Sequence, residues 1–235
     1  MAKNMLLWLV VIALVVISVI LAVSKAPLQQ NTISVSGQAK VITEPDKAEV
    51  YVRIYTEGAT ATEAKDLNAE VVDRVTKALK KYVKEEDIET SQYRLNLKQK
   101  WDRDKEEYVN VGYELTHVLK VTTKNIKEAG LLVDTAVNNG ANNIDGIDFG
   151  LTNEKQKLVN AEALEKAALE AKAKAESIAK AMNVKLGMVH RITESNYYFT
   201  PFRYEALAEA APKAATEISP GNIEVSASVT VEYLI

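Results

Sequence analysis

Cysteine is absent from this chain. Thiol nucleophiles, zinc–thiolate centres and disulfides are therefore excluded, and the fold has to be held by packing alone. Histidine is nearly absent: only His117 and His190 occur. Neither stands at helical or knuckle spacing from the partners a zinc site needs, so both read as structural side chains on predicted strands. The sequence also lacks a phosphate-binding glycine loop, a G-x-S-x-G elbow and a dinucleotide fingerprint. Asp145 and Asp148 in "NIDGIDFG" bring two carboxylates, fewer oxygens than a calcium loop requires. No catalytic residue, metal ligand or cofactor site is predicted, and the chain reads as non-enzymatic. A basic surplus is missing too. The 29 Lys and Arg residues are outnumbered by 32 Asp and Glu, which gives no electrostatic footing for a nucleic-acid partner.

A long hydrophobic run is present at the N-terminus. "MLLWLVVIALVVISVILAV", residues 5–23, carries no charge and one polar side chain, Ser18. Its apolar surface comes from Met5, Leu6, Leu7, Trp8, Leu9, Val10, Val11, Ile12, Leu14, Val15, Val16, Ile17, Val19, Ile20, Leu21 and Val23. As a helix it would rise roughly 28 Å, close to the hydrocarbon thickness of a bilayer. Cleaved leaders have shorter apolar cores, so the length favours an uncleaved anchor. Ala22-Val23-Ser24 is the cleavage site that the alternative would use. Lys3 on one side and Lys25 on the other tilt the charge balance slightly toward an inside N-terminus, with the bulk of the chain outside. Residues 1–30 are thus read as anchor and linker, and 31–235 as an extracytoplasmic domain.

Within that domain, period-two and period-3.6 patterns alternate without a steady βαβ rhythm. "TISVSGQAKVI" and "KAEVYVRIYTEG" are strands separated by an "EPD" turn; Gly37 allows a bulge or bend in the first, and Val50, Val52 and Ile54 share a face of the second. Thr60 and Glu63 form a capping box for a helix with a stripe at Ala64, Leu67, Val71, Val75, Ala78 and Tyr82. "IETSQYRLNLKQKWD" and "EYVNVGYELTHVLKVTT" form a long hairpin turning at residues 102–105. Its second arm is expected to place Val109, Val111, Tyr113, Leu115, His117, Leu119 and Val121 on one side. A shorter helix over 126–138 ends at Gly140 in a left-handed cap. The longest helix, 154–182, shows a stripe at Leu158, Ala161, Leu164, Ala168, Ala171, Ala175, Ile178 and Met182. Its Glu162–Lys166, Glu170–Lys174 and Glu176–Lys180 pairs mark a solvated face. A strand at "KLGMVHRITES" and an alternating strand at "GNIEVSASVTVEYLI" complete the domain. The class is α+β: largely antiparallel sheets packed against three helices, preceded by one N-terminal transmembrane helix.

One stretch fits neither period. "NYYFTPFRY", residues 196–204, holds Tyr197, Tyr198, Phe199, Phe202 and Tyr204 around Pro201. It reads as a loop, with a single Arg and no strand pattern to stack bases. Three roles stay open for it: a lid on its own domain, a contact with a neighbouring subunit, or a rest on the membrane interface.

In order along residues 33–235, "ISVSGQAKVITEPDKAEVYVRIYTEGAT", "VGYELTHVLKVTTKNI", "AVNNGANNIDGIDFGL", "AEALEKAALEAKAKAESIAKAMNVKLG", "VHRITES" and "ISPGNIEVSASVTVEYLI" resemble the SIMPL-domain family of bacterial and archaeal envelope proteins. The resemblance implies an exported or membrane-attached α+β protein that forms ring-like or larger homo-oligomers, with no catalytic residues and links to envelope stress in some members. The expected function is a membrane-anchored, self-assembling, extracytoplasmic envelope protein in which the five aromatics contact a neighbouring copy, because aromatics are enriched at interface cores. The alternative is a ligand-binding domain or weak enzyme, with 196–204 as a lid over a pocket lined by a histidine.

Overall fold

The computed structural model describes residues 31–194, 198–200, 202–204, 218 and 220–235. The expected anchor, residues 5–23, lies outside them; among the described residues no helix is long and apolar enough to cross a membrane. The rest is α+β, with antiparallel sheets and three helices.

Strand β2 (Lys47–Gly58) is central to the larger sheet. Its alternation buries Val50, Val52 and Ile54 completely, as the period-two pattern requires. Strands β3 (Ile88–Asp102) and β4 (Glu107–Thr123) form the long hairpin. With β5 (Asn143–Gly150) and the short β8 (Phe202–Tyr204) they make a five-stranded antiparallel sheet in the order β3-β4-β2-β5-β8. Helices α1 (Ala61–Leu79) and α2 (Ala129–Asn138) cover one face of it. Gly140 (φ +111°) follows α2 in the left-handed conformation expected.

The second sheet joins β1 (Thr32–Thr43), β9 (Ile223–Leu234) and β6 (Val189–Glu194) in that order, and β7 (Tyr198–Thr200) also pairs with β9. Ile223, Val225, Ala227, Val229 and Val231 all point into its core beneath α3 (Asn153–Ala181). The "EPD" turn locks the two halves together. The Asp46 carboxylate accepts from the Thr152 amide and hydroxyl, both at 2.7 Å, just where Thr152 caps α3 by accepting from Lys155 N–H. An anion at a helix N-terminus is favourable with respect to the helix dipole.

Four expectations change in the folded chain. Gly37 marks no bulge: β1 pairs with β9 without a register shift from Thr32 to Thr43. A Cβ at Gly37 would collide with the Ala167 carbonyl and come within 2.6 Å of the Ala171 nitrogen, so glycine is there to let α3 lie directly on the strand. The buried row of α3 is Val159, Ala163, Ala167, Ala171, Ala175 and Ala179, one residue off from much of the predicted stripe. Small side chains permit that approach, and Leu158, Ile178 and Met182 are left in water. On α1, Asn68 and Leu79 are buried whereas Leu67 is exposed, and the Asn68 amide donates to the Ile54 carbonyl; Tyr82, from the same predicted stripe, lies exposed beyond the end of the helix at Leu79. The helix charges are not merely solvated. Glu170 accepts from the Gln38 N–H and Lys174 donates to the Ser36 carbonyl, which masks the open edge of β1.

Gly37→Ala is therefore expected to destabilise the fold by about 1–3 kcal/mol through overpacking. Leu158→Ala, on the far side of the same helix, should change stability by no more than about 0.5 kcal/mol. Urea midpoints of the two variants test this.

Candidate functional site

Pairing of β2 with β4 ends at Gly58 opposite Tyr113, so the far end of the β3–β4 hairpin continues as a two-stranded ribbon. Two strands alone are marginal in water, and this ribbon is reinforced locally. The Trp101 and Tyr108 rings meet edge-to-face at 5.0 Å. Gln99 donates its side-chain amide to Asn110 Oδ1 at 3.0 Å, and Asp102 Oδ1 accepts from the amides of Asp104 and Lys105 in the turn.

A bulge decides which face the ribbon shows. The register passes from Lys98 opposite Gly112 to Gln99 opposite Asn110, leaving Val111 unpaired. Gly112 sits beside it at φ +135°, a conformation that side chains resist. Val109 and Val111 consequently do not continue the face of Tyr113 and Leu115, contrary to the alternation read from sequence. Instead Tyr108 and Trp101 join Leu97, Leu95 and Tyr93 on the helix-covered side of the sheet, since directly opposed residues share a face. Beyond the reach of α1 these side chains are in water: Leu95 is 41% exposed, Leu97 43%, Trp101 46% and Tyr108 66%. The opposite face carries Lys98, Lys100 and Glu107. The hairpin is an amphipathic ribbon whose uncovered side is largely apolar, interrupted by the Gln99–Asn110 pair, and β3 is the edge strand of its sheet. "YRLNLKQKW" carries the alternating signal in sequence, but nothing in it says that no helix will cover it.

Next to the ribbon, α1 and β3–β4 enclose a cleft of about 400 Å³, with Ala69 and Val72 on its apolar wall and Tyr93 and His117 on its floor. His117 is held at both nitrogens. Asn68 uses its NH2 on Ile54, so its Oδ1 accepts from His117 Nδ1 at 3.1 Å; His117 Nε2 then accepts from the Thr90 hydroxyl at 2.9 Å. The Tyr93 ring meets the imidazole edge-on at 5.1 Å. With both nitrogens engaged, the ring is a structural member of the cleft floor, and the cleft is suited to binding more than to proton transfer. Asn68 was missed in the sequence because it interrupts an otherwise apolar stripe.

The other predicted residues fall elsewhere. His190, read from sequence as a structural side chain on a strand, is exposed on β6; α3 does not extend over this edge strand, and Met188 and Ile192 are exposed with it. Asp145 forms a paired contact with Arg53, Nη2 to Oδ2 at 2.8 Å, and among the described residues no three His, Asp or Glu side chains converge on a metal position. The aromatic stretch is not a loop throughout. Tyr198–Thr200 pairs with β9 and Phe202–Tyr204 pairs with β5, so the two pieces of the segment belong to different sheets. Tyr197 and the five aromatic side chains as a group lie outside the described residues. The strand order sets β8 at the opposite edge of its sheet from β3, away from the His117 cleft that the alternative reading has it cover.

The SIMPL family model, described as a protein of unknown function (DUF541), matches residues 33–233. The chain is 28% identical over 216 residues to the 26 kDa periplasmic immunogenic protein of Brucella melitensis biotype 1, covering 88% of this chain and 86% of that protein. The protein of the same description from Brucella abortus strain S19 matches to the same extent.

Burial lowers the pKa of His117 below its ordinary value. The unfolded chain therefore binds a proton here more readily than the folded one, and stability present above about pH 6.5 is lost as pH falls toward the folded pKa. The urea midpoint of the wild type should drop more between pH 7.5 and 5 than that of His117→Gln, and equal drops would exclude His117 as the source.

Proposed function

The chain belongs to the SIMPL family, and on that premise we propose that it is a membrane-anchored extracytoplasmic protein whose folded domain assembles with copies of itself, serving the cell envelope structurally or under stress, without catalysis. The observation that carries the reading is the uncovered apolar side of the β3–β4 ribbon. Isolated surface hydrophobes are ordinary, but Leu95 and Leu97, followed past the Gln99–Asn110 pair by Trp101 and Tyr108, make a row of large apolar side chains on a projecting ribbon, which marks an interaction surface. The periplasmic description of the Brucella relatives supports an extracytoplasmic location for the domain. The apolar run at residues 5–23 supplies the tether, and tethering subunits to one membrane face raises their effective concentration. Tyr197, Tyr198, Phe199, Phe202 and Tyr204 are assigned to a second contact between copies, because aromatics are enriched at interface cores.

The full-length chain extracted in detergent should scatter light as a particle several times the mass of one chain, and it should fractionate with membranes. A monodisperse single chain would defeat the assembly reading. Tyr198→Ser with Phe199→Ser and Phe202→Ser should lower the particle mass while leaving the chain folded; unchanged mass would remove the aromatic segment from the contact.

The cleft beside His117 favours a second reading, a ligand-binding domain. Under it, thermal-shift screening of small amphipathic compounds finds saturable stabilisation that Val72→Asp abolishes. Stabilisation indifferent to that substitution would place the ligand elsewhere.

A further inference from the structure

We infer that two copies of this chain pair through the outer edges of their β3 strands, antiparallel about a two-fold axis at Leu95, so that two five-stranded sheets become one. The inference rests on the self-assembly reading and names its surface.

The two sheets treat their edges differently. In the smaller sheet the outer edge of β1 is masked by Glu170 and Lys174, which bond to the Gln38 amide and Ser36 carbonyl. In the larger sheet β3 ends the strand order and is exposed along most of its fifteen residues. Among the described residues the polar side-chain contacts of β3 run inward or into the hairpin turn: Thr90 to His117, Lys98 to Glu57, Gln99 to Asn110, and Asp102 to the amides of Asp104 and Lys105. With Glu89 paired to Lys120, they leave the outer edge bare. A long open edge with an apolar face is a template for another strand.

The residues of β3 then select the partner and the register. A two-fold axis perpendicular to the sheet matches each residue with one of the same face, so apolar side meets apolar side. Centred on Leu95, it sets Leu95 against Leu95, and Tyr93 against Leu97 twice. On the polar side Arg94 meets Asn96 and Gln92 meets Lys98. The register shift between Thr90 and Gln92 leaves Ser91 unpaired, and past that bulge Glu89 comes opposite Lys100, again twice. Centres at Arg94, Asn96 and Leu97 bring like charges together, and one at Tyr93 sets Glu89 against Asn96 and forms no ion pair. An axis at Arg94 sets that residue against itself, one at Asn96 sets Arg94 against Lys98, and one at Leu97 sets Arg94 against Lys100. Like charges directly opposite are unfavourable. Lys100 makes no ion pair among the described residues, whereas Glu89 is 2.7 Å from Lys120 on its own sheet and would bridge both lysines. This charge complementarity favours a second copy over an unrelated strand.

The absence of native cysteine makes the test clean. Leu95→Cys in the full-length chain, in detergent, is oxidised or bridged with a short bismaleimide, beside Glu165→Cys on the exposed face of α3. The expected result is a covalent dimer of the Leu95→Cys variant in high yield and little of the Glu165→Cys variant. In the cysteine-free chain, Glu89→Lys should weaken association about fivefold to tenfold, and adding Lys100→Glu should restore it. An assembly of unchanged mass in which the Leu95→Cys variant does not cross-link, or in which the charge exchange gives no rescue, would overturn the β3 pairing and leave self-assembly standing. A monomeric wild type would overturn both. An adduct of the Leu95→Cys variant with a mass other than twice the chain would assign the edge to a different polypeptide and also overturn the inference.

Discussion

A helix rises about 1.5 Å per residue and a strand about 3.4 Å, and that mismatch governs what this fold can cover. The 19 residues of α1 span roughly 28 Å, while the 17 residues of β4 reach roughly 58 Å. The helix layer buries Val50, Val52, Ile54, Leu115, Leu119 and Val121 and then ends. What lies beyond is still sheet, still patterned for a core, and has no helix above it. The uncovered row from Leu95 to Tyr108 follows from this difference in reach.

The smaller sheet solves the same problem differently. Helix α3, with 29 residues, runs roughly 43 Å and lies lengthwise over β1 and β9. It does so with alanine every fourth residue and with glycine beneath, so that backbone approaches backbone. Large side chains would hold the layers apart; here Leu158 and Leu169 are turned outward instead. The close approach also brings Glu170 and Lys174 within reach of the β1 edge. One packing choice thus covers the core and shields the strand, and the shielded β1 contrasts with the open β3.

Polar side chains complete the backbone where regular pairing stops. Asn142 bonds to both the amide and the carbonyl of Tyr55 just before the start of β5. Asp46 performs a similar service at the start of α3, and Asn68 links α1 to β2 and to His117. Buried polar groups left without partners are costly, and among the described residues no buried side-chain nitrogen or oxygen is without one. These residues explain why asparagines and an isolated "EPD" turn stand where simple patterning asks only for turn formers. The histidine of the cleft belongs to this scaffold, which is why its environment disfavours the charged form.

Much of the architecture was legible because it rests on local periodicity: the alternation in β2, β4 near Leu115 and β9, the Thr60 cap, the cap at Gly140 and the existence of three helices. The order of pieces also carried the family. What local pattern determined, then, is which segments are strands and helices, because backbone geometry repeats over neighbouring residues. Only the tertiary structure decided which apolar face is buried, what Gly37 and Asn68 are for, that the two pieces of the aromatic segment belong to different sheets, and that the β3 face stays open. Those outcomes depend on contacts between residues far apart in the chain, and a bulge of one residue at Val111 is enough to exchange inside for outside.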